Sequence, residues 1–165
     1  AWDSPRVPTF TFWVFGGLTG STWSALAAGT PLVLIGTAAV AANARSLDLL
    51  SLGETEARHV GVNVDRVITM ILIGVGVTVG GAVGLGGAIG FVGLIVPLIV
   101  RRWIGPAHAW LIPASALGGG AMVVAVDILA RTAAAPIEIP VGLFSAILGA
   151  PVFVWFLLRV GRSRS

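Results

Sequence analysis

Few side chains in this sequence could perform chemistry, and they do not form a catalytic set. Asp127 is the only carboxylate near the interior of an apolar segment, where an ionisable residue is a candidate functional site. Arg131 follows four positions later on the same helical face, so the two can form an ion pair. A proton relay would need further buried carboxylates or histidines, and the sequence supplies none. We therefore favour a structural pair near the outer surface that orients Arg131.

The remaining candidate groups argue against metal binding and catalysis, and no metal site or cofactor is predicted. His59 and His108 are far apart and lack accompanying acidic ligands, which favours solvated or interfacial side chains. The chain has no cysteine, so disulfides and thiolate sites are excluded. It has no lysine with which to build the phosphate-binding loop of an ATPase. An intramembrane protease would need a Ser–His pair or two aspartates within the spans.

The elements that must position these groups are membrane-spanning helices. Hydrophobic residues make up 56% of the chain and charged residues 10%, and the mean hydropathy is +0.99. Residues 67–100 carry no charge, a run too long for one span of about 20 residues and suited to two. The glycines between Gly80 and Gly87 offer a turn between these two. The fold predicted is an all-α polytopic bundle, with about five spans near residues 23–44, 67–84, 88–100, 110–126 and 139–158. Residues 9–18 resemble the end of an earlier span.

Arginines give the spans an orientation. With alternating crossings, eight of the ten fall on one face, which the positive-inside rule assigns to the cytoplasm. The N-terminal end is then outside and the C-terminus inside, in a bacterial inner membrane. This basicity is a topology signal and does not indicate nucleic-acid binding. The eight are Arg45, Arg58, Arg66, Arg101, Arg102, Arg159, Arg162 and Arg164; the other two are Arg6 and Arg131.

The connection over residues 45–66 is too patterned for a plain loop. Ser51 and Glu54 fit a capping box, in which the hydroxyl accepts a backbone N–H and the carboxylate reaches back. Gly61 can supply a left-handed C-terminal cap, behind Arg58 and His59 in the last turn.

These signals predict a short helix over residues 52–60, after an amphipathic lead-in that carries Leu47, Leu49 and Leu50. An amphipathic helix lying on the membrane surface and an element that docks into a cytoplasmic partner both fit this pattern.

Small residues recur at spacings that let helix backbones approach closely. In the second and third spans these glycine registers indicate packing. The last span carries Pro140, Gly142, Ser145, Gly149 and Pro151, which leave one side small and bendable. Glu138 precedes this span at the outer mouth, where it could cap the helix or contact a partner. The glycine registers are Gly80 with Gly84, Gly86 with Gly90, and Ser145 with Gly149.

Three segments are specific enough to suggest a family. They are SLGETEARHVGVNVDR, GAIGFVGLIVPLIVRRWIGPAHAWLIPASALGGG and VDILARTAAAPIEIPVGLFSAILGAPVFVWFLLR. Together they closely resemble the C-terminal half of the permease subunits of ABC importers for iron–siderophore, haem and cobalamin. The resemblance covers nearly the whole chain, including the start FWVFGGLTGSTW. It implies half of a ten-helix permease: a single transmembrane domain fragment over residues 1–165 that begins near the end of the fifth span.

The resemblance implies roles for particular residues. The loop with the LGE…AR…G pattern would form coupling helices in a cleft of the ATPase subunit, which favours docking over the membrane surface. Arg131 would pair with a glutamate of the substrate-binding protein. Relatives line the translocation path with the last helix, which implies pathway roles for Gly142, Ser145 and Gly149. The coupling residues would be Leu52, Gly53, Glu54, Ala57, Arg58, Val60 and Gly61.

The function implied is a non-enzymatic importer subunit embedded in membrane lipid. Its partners would be cytoplasmic ATP-binding subunits, a periplasmic or lipoprotein substrate-binding protein, and a second permease copy or homologue. Ferric siderophore is the commonest family substrate, ahead of haem and cobalamin. The family's Pro-His is Pro97-Leu98 here, and its Asp-His-Arg is residues 107–109 (Ala-His-Ala), which weakens any histidine role in transport. The alternatives are a secondary transporter, which would need intramembrane charges that this chain lacks, and a non-transporting membrane remnant.

Overall fold

The fold is a set of antiparallel helices joined by short connections. A computed structural model describes residues 16–17, 22–133 and 140–162, and no strand occurs among them. The predicted end of an earlier span, at residues 9–18, lies almost wholly outside the described residues, and Glu138 also lies outside them. The helices are α1 (Trp23–Ala42), α2 (Ala44–Leu50), α3 (Glu54–His59), α4 (Val64–Gly86), α5 (Val92–Ile104), α6 (His108–Ala133) and α7 (Val141–Arg162).

The predicted helical membrane protein is confirmed, although its third span is short. Among the described residues, α1, α4 and α6 are long and apolar enough to cross a membrane. α7 adds a shorter apolar stretch over Val141–Val154. α5 has only 13 residues, or about 20 Å of helix, against a hydrocarbon core of about 30 Å. The chain is therefore a multi-pass helical protein in which one of the five predicted spans is incomplete as a helix.

Glycines bring α1 and α4 into the most extensive helix contact of the described chain. A Cβ on Gly36 would overlap the Thr78 hydroxyl and would lie 2.5 Å from the Gly74 carbonyl oxygen. One on Gly81 would lie 3.1 Å from the Leu32 Cβ. The contact glycines are seven residues apart on α4, and Gly29 and Gly36 repeat that spacing on α1. Backbones approach closely where small residues face each other, so this seam fixes α1 against α4.

The remaining long helices form a second group. α6 packs against α5, with Gly118 admitting the Val96 side chain, and both contact α7. Gly149 of α7 receives the ring of Phe91, where an added Cβ would overlap the aromatic side chain. Phe91 itself has a positive φ of 65° and forms the N-cap of α5. Contacts between this group and the α1–α4 pair are sparse within the described residues.

The turn between the second and third spans lies within the predicted glycine cluster, at its last member, whereas the predicted packing registers are not observed. α4 continues through Gly80 and Gly84 to Gly86, and the chain turns only at Gly87, whose φ is 69°. Cβ atoms on Gly80, Gly84 or Gly90 would meet nothing within 4 Å. The predicted four-residue registers of the second and third spans are therefore not the packing registers of the described chain.

Candidate functional site

The helical loop is defined here as α2, α3 and the residues between them. Two glycines with positive φ, Gly53 and Gly61, determine where α3 begins and ends. Gly53 is the N-cap of α3 with a φ of 132°, a conformation reserved almost wholly for glycine, and a Cβ there would overlap the Glu56 carboxylate. The predicted capping box is wrong, because the Ser51 hydroxyl donates to the Asp48 carbonyl at 2.6 Å and no side chain caps α3. Glu54 is instead the first residue of the helix.

The predicted C-terminal cap at Gly61 is confirmed. Gly61 has a φ of 90°, and its N–H donates to the Arg58 carbonyl at 3.0 Å. The N–H of Val62 donates to the Ala57 carbonyl at 3.0 Å, which completes a Schellman motif. α3 therefore has a defined end as well as a defined start, although it is only six residues long.

α3 presents nearly all of its surface outward. Ala57 is its only buried residue and faces the bundle. Leu52 and Val60, which flank the helix, are 71% and 69% exposed. The predicted coupling residues thus lie together on one small element, with apolar side chains at both ends and the exposed Glu54 carboxylate between them. Such a surface can receive a protein partner through apolar contact bordered by charge.

Arg58 fastens α3 to the start of α4. Its guanidinium donates from Nη2 to Oδ1 of Asp65 at 3.0 Å and from Nη1 to Oδ2 at 3.3 Å. Both side chains are more than half exposed, so the pair contributes little to stability, up to about 1 kcal/mol. The pair spans the turn between α3 and α4.

A second ionic contact fastens α2 to α6, and it corrects the prediction that His108 lacks an acidic partner. Oδ1 of Asp48 accepts the backbone N–H of His108 at 2.9 Å and lies 2.6 Å from Nδ1 of the same residue. The hydrogen bond from the His108 backbone, then that from its ring, holds the pKa of the Asp48 carboxyl below its usual range, against a rise from desolvation. Arg101 adds a smaller effect in the lowering direction. Asp48 is therefore ionised at neutral pH and caps a helix other than its own.

The predicted pair of Asp127 and Arg131 is confirmed at the opposite end of α6. Nε of Arg131 donates to Oδ2 of Asp127 at 2.8 Å, across one helical turn. The Asp127 side chain is 16% exposed and that of Arg131 is 51% exposed. The carboxylate thus holds a guanidinium that remains accessible on the side away from the helical loop. The role of Arg131 in docking stays a prediction.

The small face of α7 is turned inward. Gly142, Ser145 and Gly149 are all buried against the described helices, and the Ser145 hydroxyl donates to the Gly142 carbonyl at 2.8 Å. Gly149 carries the Phe91 contact. In this conformation the three residues pack helices together, and their predicted role in lining a pathway stays a prediction.

The sequence analysis did not predict two ionic contacts of this site, that of Asp48 with His108 and that of Arg58 with Asp65. Asp48 and His108 are 60 residues apart, and neither belongs to a local motif that would indicate the other. Asp65 lies seven residues after Arg58, beyond the spacing of ordinary helix pairs.

Comparisons with known proteins agree on one family. The FecCD transport family matches residues 1–159. The chain is 41% identical over 163 residues to the hemin transport system permease protein HmuU of Yersinia pestis, covering 99% of this chain and 49% of that protein. It is 46% identical over 146 residues to the cobalamin import system permease protein BtuC of Halobacterium salinarum, covering 88% and 39%. It is 40% identical over 149 residues to the Fe(3+) dicitrate transport system permease protein FecD of Escherichia coli, covering 90% and 46%.

A solved structure shares the fold. It is described as a metal-chelate type ABC transporter in an inward-facing conformation, and it matches with a TM-score of 0.81 at 31% identity. The match covers 95% of this chain and 51% of that one. The chain thus spans about half the length of the relatives it matches, or less.

Proposed function

The chain belongs to the FecCD transport family, and from this we propose that it forms half of a transmembrane permease subunit in a binding-protein-dependent ABC importer. The observation that carries the proposal is the helical loop, whose six-residue α3 is capped at a fixed angle and exposes Leu52 and Val60. We assign this surface to an ATP-binding subunit. Hydrolysis then occurs on that subunit, and the permease converts the movement of α3 into helix movement.

The form of α3 supports docking over adsorption to lipid. A helix on a membrane surface presents a continuous apolar face to the lipid. α3 has no such face, because its inward side is a single buried alanine and its exposed residues include Glu54 and Glu56. The apolar side chains of α2 are only partly exposed, and α2 contacts α6.

The substrate class we propose is a metal held in an organic chelator or macrocycle. The named relatives transport hemin, cobalamin and ferric dicitrate, all of which fit that description. The chain is similarly identical to all three relatives, so identity does not choose among these substrates. Because ferric siderophores are the commonest substrates of the family, a ferric siderophore is the first substrate to test. The arginine distribution supports a bacterial inner membrane with the helical loop and the C-terminus in the cytoplasm. The other partners proposed are a substrate-binding protein outside and a second permease copy or homologue.

Recovery of an ATPase tests the coupling surface. Purification of the full-length permease from detergent-solubilised membranes is expected to bring a nucleotide-binding ATPase with it. Replacing Leu52 and Val60 together with aspartate should reduce that recovery about ten-fold or more, since two apolar anchors of an interface would become charged. Leu52→Met with Val60→Ile, which keeps both side chains apolar at the same exposed positions, is the matched control. Absence of any ATPase with the unaltered protein would refute the importer function and favour a stand-alone membrane role.

Reversal of charge at Arg131 tests the docking surface on the opposite side. Arg131→Glu should weaken capture of the substrate-binding protein about ten-fold, because an attractive contact becomes repulsive next to Asp127. Binding is measured with the permease in nanodiscs and the binding protein titrated at several salt concentrations. ATPase recovery from the same preparation should be unchanged, and equal affinity for the binding protein would remove Arg131 from the interface.

A further inference from the structure

The helical loop contacts both helix groups of the described chain. α3 contacts α4 of the α1–α4 pair, and α2 contacts both α1 and α6. Direct contact between the two groups is otherwise sparse within residues 22–133 and 140–162, with α1 touching α6. A displacement of the helical loop can therefore act on the two groups through separate contacts. The contact of α3 with α4 includes the ion pair of Arg58 and Asp65, and the contact of α2 with α6 includes that of Asp48 and His108.

These two contacts differ in kind. Arg58 and Asp65 are neighbours along the chain and largely exposed, so their pairing adds little to what the connecting turn already imposes. Asp48 and His108 belong to elements far apart in sequence, and the His108 side chain is only 17% exposed. One carboxylate oxygen holds both the first backbone N–H of α6 and the ring of the same residue. A helix start has several N–H groups without intrahelical partners, so this carboxylate supplies a cap from outside the helix.

We propose that Asp48 and His108 form the mechanical joint between the helical loop and α6, and that they are positioning residues for energy coupling. The inference rests on the proposed importer function. Movement of α3 and α2 on the ATPase pulls or pushes the start of α6 through this joint. α5 and α7 move with α6 because they pack on it, whereas the α1–α4 pair is held by its glycine seam.

α6 extends from this joint toward the opposite side of the molecule. The helix runs from His108 to Ala133 and carries the pair of Asp127 and Arg131 near its far end. One continuous helix of 26 residues, about 39 Å long, thus joins the helical loop to the side proposed for the substrate-binding protein. Binding at one end and hydrolysis at the other would be linked through the same element, and linkage between sites is reciprocal.

The test uses the full-length permease with its ATPase and binding protein in proteoliposomes, and the probe is ATP hydrolysis with and without the binding protein. Asp48→Ala and His108→Ala should leave ATPase recovery and basal hydrolysis within about two-fold, while stimulation by the binding protein falls about five-fold or more. The double variant should lose no more than Asp48→Ala alone, because that change already removes the bonds to both the backbone and the ring of His108. Asp65→Ala is the matched control, since it removes a carboxylate on the same side but outside the joint.

Covalent repair provides a second measurement that a general loss of stability would not reproduce. Asp48→Cys with His108→Cys places one thiol on each side of the joint; these 165 residues contain no cysteine, and any cysteine elsewhere in the full-length permease is first replaced by serine. Stimulation should be low in the reduced double variant and should recover when a short bifunctional thiol reagent links the two residues. Full stimulation in both single alanine variants, additive losses in the double variant, or an equal loss in Asp65→Ala would overturn the joint. Failure of the unaltered permease to retain an ATPase would overturn the importer function itself, and the joint with it.

Discussion

A permease carrying Gly36→Val should fail to assemble stably. The valine side chain would enter the space held by the Thr78 hydroxyl and the Gly74 carbonyl, and a backbone atom cannot move aside as a side chain can. Thr78 is itself fixed, because its hydroxyl donates to the Gly74 carbonyl at 2.9 Å. Overpacking of a tight contact costs about 1–3 kcal/mol, and this site lies at or above the upper end because α1 must separate from α4.

The measurement is the fraction of permease that remains monodisperse in detergent after heating, with the apparent Tm taken from the series. Ala38→Val is the control, since residue 38 lies on the exposed side of the same helix and receives a side chain of the same size. The Gly36 variant should lose its folded fraction at temperatures that leave the control intact. An equal apparent Tm for the two variants would show that close contact at Gly36 is not needed for stability, and that other contacts hold α1 and α4 together.

Gly53→Val should abolish coupling while leaving the membrane helices folded. A β-branched residue cannot adopt a φ of 132° without strain of about 1–3 kcal/mol, and the Glu56 carboxylate would also have to move aside. The six-residue α3 has too few internal hydrogen bonds to resist that strain, so it should shift or unwind. We expect ATPase recovery or its stimulation by the binding protein to fall about ten-fold or more, since the docking side chains would be displaced.

Two measurements separate this effect from unfolding. Thermal stability in detergent should stay close to that of the unaltered protein, because α3 buries only Ala57. Ser51→Ala is the control within the loop, since it removes one exposed hydrogen bond and leaves the glycine conformation unchanged. A Gly53 variant that couples normally would show that α3 does not need a fixed start, and the coupling assignment would fail with it.

The long helices could be predicted from sequence because hydropathy alone determines which segments enter lipid. The turn between the second and third spans was predicted within the right glycine cluster, but the sequence did not indicate that it would begin only at Gly87. Glycine permits a turn in water, where the solvent satisfies exposed backbone groups. Within a membrane those groups need internal partners, so α4 keeps its helical hydrogen bonds through Gly80 and Gly84.

In the candidate site, features that depend on adjacent residues could be predicted, and contacts between distant segments could not. The cap at Gly61 was predictable, because a Schellman motif is read from a few adjacent residues. Gly53 also lay in a recognisable string, but the reason for it, a backbone angle that excludes a side chain, does not follow from the letters. The contact of Asp48 with His108 depends on where α6 begins beside α2. Only the packed structure brings that pair together.

The shortness of α5 has a consequence for how the molecule sits among lipids. Arg101 marks the charged end of the helix, and Phe91 lies about 15 Å from it, near the middle of a 30 Å hydrocarbon core. Residues 87–91 are not helical, and Gly90 and Val92 close a three-residue turn by a hydrogen bond of 2.8 Å. Irregular backbone at that depth is tolerated only against protein or water. Acyl chains are therefore excluded from the flank of the bundle around Phe91, which must face protein or water.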